Sequence, residues 1–348
     1  MLIHVNQLQP GDRIMTDVFN DFGVNIMSGG TPLVRADIEL LMKHRINYVD
    51  ILPRQMETDR PNSWKTAHVE SHVLPTYMKT ISSVKKIFDS IQNGEQLLTK
   101  DLDDFTKSMI SSIQEERDAV SLLILLNTDE EYTYQHSVHV GMLAYFISKW
   151  LGYPEEEAQL IGRTGFLHDI GKSKVPAHIL NKPAALTEEE FEEIKKHTNY
   201  GHDIIIQAQG PCVEAAVALQ HHERIDGSGY PNGLTGEQIH PYAKIVAVAD
   251  TYSAMISKRI YKQSKDLLCV LKELYQLSFK NLEPKVVHTF IEHMLPSFIG
   301  KVAVLNNDQQ GEIVMINPND LFRPLIKMKA KFVDLSEHKN LEIVRIMV

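Results

Sequence analysis

The chain has 348 residues, of which 43% are hydrophobic and 23% are charged, and this is ordinary usage for a globular protein of two or three domains. Its formal net charge of −9 argues against a protein that binds DNA or RNA polymers, because such proteins need a basic surface. The only two cysteines, Cys212 and Cys269, exclude a disulfide framework and favour reduced thiols.

The N-terminal segment has neither a basic region nor a long apolar run, so we expect no signal peptide. The most apolar window, residues 119–126, is far shorter than the ~20 residues that a transmembrane helix needs. These features predict a cytoplasmic protein without membrane insertion.

The first part of the chain, residues 1–60, alternates short apolar runs with turn signals and predicts a small α+β domain. Its predicted elements are strands over 14–19, 24–27 and 48–52 and a helix over 36–45. Residues 61–118 start with a polar linker and continue with helical patterns of low apolar density. They predict a helical linker rather than a core, and its helices are candidates for a homodimer contact.

Residues 119–295 are almost purely helical in pattern. Helices are predicted over 134–151, 155–168, 187–197, 213–222, 241–256, 265–280 and 284–294. After Pro296 the pattern changes to short alternating strands over 301–305, 311–316, 325–333 and 341–347. The predicted fold is therefore multidomain, with an all-α domain over 119–295 between the small α+β domain and a small β-rich domain over 296–348.

Titratable side chains recur at inward positions of the predicted helices. The candidates are His136, His168, Asp169, His197, His221, His222 and Asp250. Each alone has an ordinary interpretation, such as a hydrogen-bonded core histidine or a histidine at a helix C-terminus. Burying such a group unpaired is costly, however, and a shared metal centre would satisfy all of them together. Imidazole and carboxylate without thiolate suit Fe or Mn, with Zn and others open, and the set exceeds what one ion needs.

Two motifs carry a resemblance to a known family. They are the runs His168-Asp169-Ile170-Gly171-Lys172 and His221-His222-Glu223-Arg224-Ile225-Asp226-Gly227-Ser228-Gly229-Tyr230-Pro231. Together with His136-Ser137, the segment 179–191, His197 and Ala249-Asp250, they resemble the HD-GYP domain, a branch of the HD phosphohydrolase superfamily. The similarity covers roughly residues 120–280.

The resemblance implies an HD-type catalytic domain that hydrolyses the bacterial second messenger cyclic di-GMP to linear pGpG, with GMP as a further product. It implies two divalent metal ions held by the seven candidates, with Asp169 bridging them, and Lys172 as the motif lysine near the phosphate. Tyr230, Arg259 and Lys262 match positions that contact the dinucleotide. Beside Tyr230, the ligand site is expected to include Gly227, Gly229 and Pro231.

Three positions depart from the family pattern. Tyr132 replaces a glutamate that supports a third metal in some members, which favours a two-metal site. Ser253 and His139 stand where the family often has aspartate and arginine. These differences are expected to alter substrate affinity and turnover. Two alternatives stay open: a cyclic di-GMP receptor with weak turnover, and a hydrolase of another cyclic dinucleotide. A diguanylate cyclase or other signalling proteins are further expected partners.

Overall fold

The computed structural model describes residues 2–5, 8, 11–19, 25–44, 46, 48–51, 73–97, 99–114, 132–182, 184–260, 267–329 and 331–347. The chain forms two compact units, Met1–His68 and Val69–Val348. The polar linker at the start of 61–118 and the apolar window at 119–126 lie outside the described residues. The four-part division of the chain stays a prediction.

The N-terminal unit combines short strands with one described helix. Its elements are β1 (Leu2–His4), β2 (Val18–Phe19), β3 (Asn25–Met27), α1 (Arg35–Lys43) and β4 (Tyr48–Asp50). Strand β1 pairs with β4, and β2 pairs with β3, in both cases antiparallel. Apolar side chains between these elements, among them Ile14, Leu33, Leu41 and Ile51, are buried in one cluster. This cluster is the core of the unit.

The second unit is mainly helical. Its helices are α2 (Val73–Gln92), α3 (Thr99–Gln114), α4 (Tyr132–Trp150), α5 (Glu155–Leu167), α6 (Ala177–Leu180), α7 (Glu188–Lys195), α8 (His197–Gln209), α9 (Val213–Gln220), α10 (Pro241–Ile260), α11 (Leu267–Ser278) and α12 (Pro284–Met294). A 3₁₀ helix, Ile170–Lys174, follows α5. Helices α4 to α12 therefore agree with the helical pattern predicted for this part of the chain. No helix in the described ranges is long and apolar enough to cross a bilayer.

Helices α2 and α3 belong to the core of this unit. The prediction of a connecting region without a core was wrong for these two helices. The apolar residues of α2 are few, but Tyr77, Ile81, Val84, Phe88 and Ile91 recur every three or four positions, so they share one face. That face is buried in the same apolar cluster as α4 and α5.

The chain ends in a five-stranded antiparallel sheet. Its strands are β5 (Val302–Leu305), β6 (Gln310–Met315), β7 (Leu325–Met328), β8 (Lys331–Asp334) and β9 (Ile343–Met347), in the order β8-β7-β6-β5-β9. The single strand predicted over 325–333 is a hairpin, because Met328 pairs with Lys331. Lys329 takes a left-handed φ of 53° in the turn. Lysine is not a typical turn residue, as glycine and asparagine are, so the sequence pattern did not predict that the chain reverses direction here.

Two close backbone contacts fix the helices that carry the candidate site. A Cβ on Gly165 of α5 would lie 2.8 Å from Cα of Gly141 in α4, so the backbones of the two helices are in direct contact at this point. A Cβ on Gly171 in the 3₁₀ helix would overlap the carbonyl oxygen of His197, the first residue of α8. Glycine is required at both positions because any side chain would separate the packed backbones.

Candidate metal centre and ligand site

The seven predicted ligands come from five different parts of the fold and meet at one place. They are His136 in α4, His168 and Asp169 after α5, His197 at the start of α8, His221 and His222 after α9, and Asp250 in α10. Their ligand atoms form two groups, one of Asp169, His197, His221 and His222 and the other of His136, His168 and Asp250, within each of which all atoms lie within 4.8 Å. Each group has enough donors to hold a metal ion.

The carboxylate of Asp169 joins the two groups. Its Oδ1 lies 3.3 Å from Nε2 of His197 and 3.8 Å from Nε2 of His221. Its Oδ2 lies 3.2 Å from Nε2 of His168 and 3.8 Å from Nε2 of His136. One oxygen therefore faces each group, which is the arrangement of a carboxylate that bridges two ions.

Asp250 makes a second connection. Its Oδ1 lies 3.0 Å from Nε2 of His136, and its Oδ2 lies 3.8 Å from Nδ1 of His222. His222 is the most accessible of the seven ligands, with 19% of its side chain exposed, whereas His168, His197 and His221 are fully buried. The centre is therefore closed on the helical side and opens towards His222.

Backbone carbonyls set the tautomer of three buried histidines. Nδ1 of His168 lies 2.7 Å from the carbonyl of Gly165, and Nδ1 of His197 lies 2.6 Å from the carbonyl of Ile194. Nδ1 of His221 likewise lies 2.9 Å from the carbonyl of Ala218, three residues earlier in the chain. A carbonyl only accepts, so each Nδ1 donates and each neutral ring presents a lone pair at Nε2.

The Nε2 atoms and the carboxylate are arranged as a metal would require. Nε2 of His197 and Nε2 of His221 face each other at 3.3 Å, and with both Nδ1 atoms protonated this places two lone pairs together. Nε2 of His168 and Oδ1 of Asp169 are buried without a hydrogen-bond partner among the described residues. Metal ions held by the two groups would satisfy all four atoms, so the residues present fit divalent metal ions.

The electrostatics favour neutral imidazoles at His197, His221 and His222 next to ionised carboxylates at Asp169 and Asp250. His168 differs, because burial lowers its pKa but the neighbouring Asp169 outweighs burial and raises it. Burial lowers the pKa of His197 to about 4 and holds the pKa of His221 and of His222 well below the ordinary value. Burial alone would raise the pKa of Asp169, but the neighbouring His168 and Lys172 outweigh it and lower that pKa well below its usual range. His197, His221, His222 and the Asp169 carboxylate are therefore in the protonation states that ligate metals.

The sequence of this region matches a family model described as HD domain over residues 121–284. The match confirms the resemblance drawn from the motifs, and the HD domain contains all seven candidate ligands.

Two relatives of the chain are named as phosphodiesterases. A cyclic di-GMP phosphodiesterase of Pseudomonas aeruginosa is 32% identical over 248 residues, which are 71% of this chain and 60% of the relative. A cyclic di-GMP phosphodiesterase of Thermotoga maritima is 38% identical over 223 residues, which are 62% of this chain and 56% of the relative. The chain thus spans less than two thirds of either relative.

A solved structure shares the fold. An HDG"Y"P protein from Bdellovibrio bacteriovorus superimposes with a TM-score of 0.52 at 17% identity, covering 83% of this chain and 97% of the other. This likeness concerns the fold alone.

Two of the other predicted site residues, Lys172 and Tyr230, contact candidate ligands. Nζ of Lys172 contacts Oδ2 of Asp169 from three residues along the 3₁₀ turn. The Tyr230 ring stacks on His222, with 4.7 Å between centroids and 28° between planes, and its peptide bond to Pro231 is cis. Arg259 is described by its helical backbone only, and Lys262 lies outside the described residues.

The glycines of the loop after His222 permit close backbone packing. Gly227 has a φ of 80°, which disfavours any side chain. A Cβ on Gly229 would overlap the amide nitrogen of Arg224 and the carbonyl oxygen of His222. The loop therefore folds back against the backbone of His222, Glu223 and Arg224. This packing brings the Tyr230 ring onto the ring of the candidate ligand His222.

Glu223 anchors this loop, a role that the sequence did not reveal. It is 2% exposed, and its two carboxylate oxygens accept backbone N–H groups of Asn232 at 2.7 Å and Leu234 at 2.9 Å. Its partners lie nine and eleven residues away, in a turn whose geometry the sequence does not specify.

Replacing Glu223 with glutamine should loosen the loop. The amide offers one acceptor oxygen, so its nitrogen would face one of the two backbone donors. We expect about 1–3 kcal/mol less stability and a higher KM for a ligand held by Tyr230, with metal content unchanged. Thermal unfolding and steady-state kinetics measure both effects. Glu237→Gln, an exposed carboxylate of the following turn, is the control. Equal behaviour of the two variants would contradict the anchoring role.

Two of the departures from the HD-GYP pattern contact each other. Nδ1 of His139 lies 3.1 Å from Oγ of Ser253, and the same hydroxyl lies 3.0 Å from Nδ1 of the ligand His136. The two differences are thus one local change behind a metal ligand. The third departure, Tyr132, begins α4, and its side chain lies outside the described residues.

The prediction of a single helix over 187–197 was wrong. A capping box of Thr187 and Glu190 opens α7, but α7 ends at Lys195 and His197 begins α8. Phe191 is 46% exposed. The change of direction at Lys196 separates the two side chains, so His197 turns inward while Phe191 stays at the surface.

Proposed function

We propose that this protein is a metal-dependent phosphodiesterase of bacterial signalling that hydrolyses cyclic di-GMP to linear pGpG, with GMP as a further product. The observation that carries the proposal is the position of Asp169, whose two oxygens face two adjacent groups of metal-ligand residues. The names of the Pseudomonas and Thermotoga relatives support the substrate. In this proposal residues 119–295 form the catalytic part, flanked by 1–60, 61–118 and 296–348.

Two divalent ions, with Fe or Mn favoured by the donor set, complete the proposed site. His197, His221 and His222 would hold one ion, and His136, His168 and Asp250 the other, with Asp169 shared. Two such metal ions, when bound, activate water near neutral pH and stabilise the attacking and leaving oxygens of a phosphoryl group.

The protein's own groups would bind and orient the dinucleotide. The Lys172 ammonium, beside Asp169 and partly exposed, would stabilise negative charge that develops on the phosphate. Tyr230 would contact a base or sugar, and Gly227 and Gly229 allow the loop backbone to approach the ligand. Arg259 and Lys262 are proposed as phosphate or guanine contacts from the family pattern.

The proposal is tested with the full chain loaded anaerobically with Fe(II) or Mn(II). Timed incubation with cyclic di-GMP, followed by chromatography, should show pGpG appearing as the cyclic substrate disappears. Elemental analysis should give two ions per chain. Binding without product would refute the enzyme and support the receptor alternative. Faster hydrolysis of another cyclic dinucleotide in a parallel panel would refute the assigned substrate.

A further inference from the structure

An exposed aromatic side chain lies next to the proposed ligand site. Phe191 of α7 is 46% exposed, and its ring centroid lies 6.5 Å from that of Tyr230, with the planes nearly perpendicular at 79°. Single exposed apolar residues are common and need no explanation. Phe191 differs because its neighbour Tyr230 touches a candidate metal ligand, so its position relative to the site is defined.

The rings form a series that leads from the metal ligands to the surface. His222 stacks on Tyr230 at 4.7 Å, and Tyr230 meets Phe191 at its outer side. The ring of His197 lies 6.4 Å from Tyr230, which places this tyrosine against two ligands of the same group. A planar group that lies against Phe191 and Tyr230 would therefore lie beside the centre.

A cation lies over the same two rings. Nζ of Lys195 is 4.9 Å from the centroid of Phe191 and 5.7 Å from that of Tyr230, within cation–π range of both. Nζ also pairs with Glu192 at 2.6 Å, but the Glu192 side chain is 66% exposed, so an anionic ligand can displace it at little cost. We name Phe191, Tyr230 and Lys195 the aromatic rim.

We propose that the aromatic rim is a subsite that holds a purine base of the ligand, with its face stacked on Phe191 and its edge against Tyr230, and with Lys195 pairing to an adjacent phosphate. The proposal rests on the proposed function and adds Phe191 and Lys195 to the residues that determine specificity. Aromatic side chains stack on nucleobases because both have extended π faces, and a nearby cation adds attraction for the phosphate. The site would thereby distinguish a dinucleotide from a phosphodiester without a base.

Two substrates and two matched controls test this role. Kinetics of the metal-loaded chain are measured with cyclic di-GMP and with methyl p-nitrophenyl phosphate, a phosphodiester that has no nucleobase. Phe191→Ala should raise KM for cyclic di-GMP about tenfold, leave kcat within about twofold and leave the small substrate unaffected. Phe191→Trp should restore the low KM, because indole offers a stacking face.

Lys195→Ala should also raise KM for the dinucleotide, and its effect should shrink at high salt because charge is screened. The controls are Phe332→Ala, an exposed phenylalanine of β8, and Lys196→Ala, the adjacent lysine that pairs with Glu193. Both should behave as the parent. Equal losses on both substrates, or an unchanged KM for the dinucleotide in Phe191→Ala, would overturn the subsite.

Calorimetric binding of cyclic di-GMP separates this subsite from the proposed function. If the parent binds the dinucleotide without cleaving it and Phe191→Ala binds about tenfold more weakly, the subsite stands and the phosphodiesterase is refuted. If the parent cleaves it and Phe191→Ala binds equally well, the function stands and the subsite is refuted.

Discussion

Replacing Asp169 with asparagine is expected to remove bound metal and to lower kcat/KM for cyclic di-GMP by about a thousandfold or more. The carboxylate faces both groups of ligands, with Oδ1 3.3 Å from His197 and Oδ2 3.2 Å from His168. An asparagine side chain keeps one oxygen and no charge, so it cannot serve two cations. Its amide nitrogen would also present a donor where a metal must lie.

Elemental analysis and initial rates of the same preparations measure the effect. Asp203→Asn is the matched control, because that carboxylate is 67% exposed and pairs with His202 in α8, outside both groups. Circular dichroism of the metal-free proteins distinguishes loss of metal from loss of fold. If the Asp169 variant retains two ions per chain, Asp169 does not bridge the groups.

The spacing of apolar residues, together with the motif resemblance, predicted that the seven candidate ligands lie close together. His136 continues the inward stripe of α4, and the other six stand at inward or terminal positions of their helices, so each helix contributes a polar group to one interior. Periodicity predicts which face of a helix is buried. The interior of a helical unit is small. Polar groups on the inward faces of several helices are therefore expected to lie close to one another.

Periodicity could not reveal the interactions that orient these ligands. The carbonyl acceptors of His168, His197 and His221 depend on helix ends, where the last carbonyls have no helical partner. The contact between His139 and Ser253 joins residues 114 positions apart. The burial of Glu223 depends on a turn that folds back over it, and only the three-dimensional arrangement shows that its carboxylate holds two amides.

The errors of the sequence interpretation share a physical cause. The helix predicted over 187–197 was extended through Lys196, where the chain ends one helix and starts another, so Phe191 and His197 lie on different helices and only His197 is buried. A strand was extended through Lys329, which forms a turn without a turn-type residue. In both places the chain changes direction without glycine or proline, so composition gives no warning.

Replacing Gly171 with alanine should destabilise the protein by about 3 kcal/mol or more and weaken metal binding at the His197 group. An added Cβ would overlap the carbonyl oxygen of His197 and lie 2.4 Å from the amide nitrogen of Gly201. Both obstacles are backbone atoms at the start of α8, so they cannot move as a flexible side chain does. The helix would have to shift, and its first residue is a candidate ligand.

Gly201 supplies a control within the same contact. A Cβ there would meet the amide nitrogen of Gly171 at 3.4 Å and Cβ of Ala218 at 3.5 Å, which are ordinary contacts. Gly201→Ala should therefore be neutral or stabilise α8 by about 0.5–1 kcal/mol, as alanine does in a helix interior. Urea unfolding of the metal-free proteins and metal titration compare the pair. Equal stability of the two variants would mean that the 3₁₀ turn carrying Asp169 is not held against α8, and the bridging position of Asp169 would lose its structural basis.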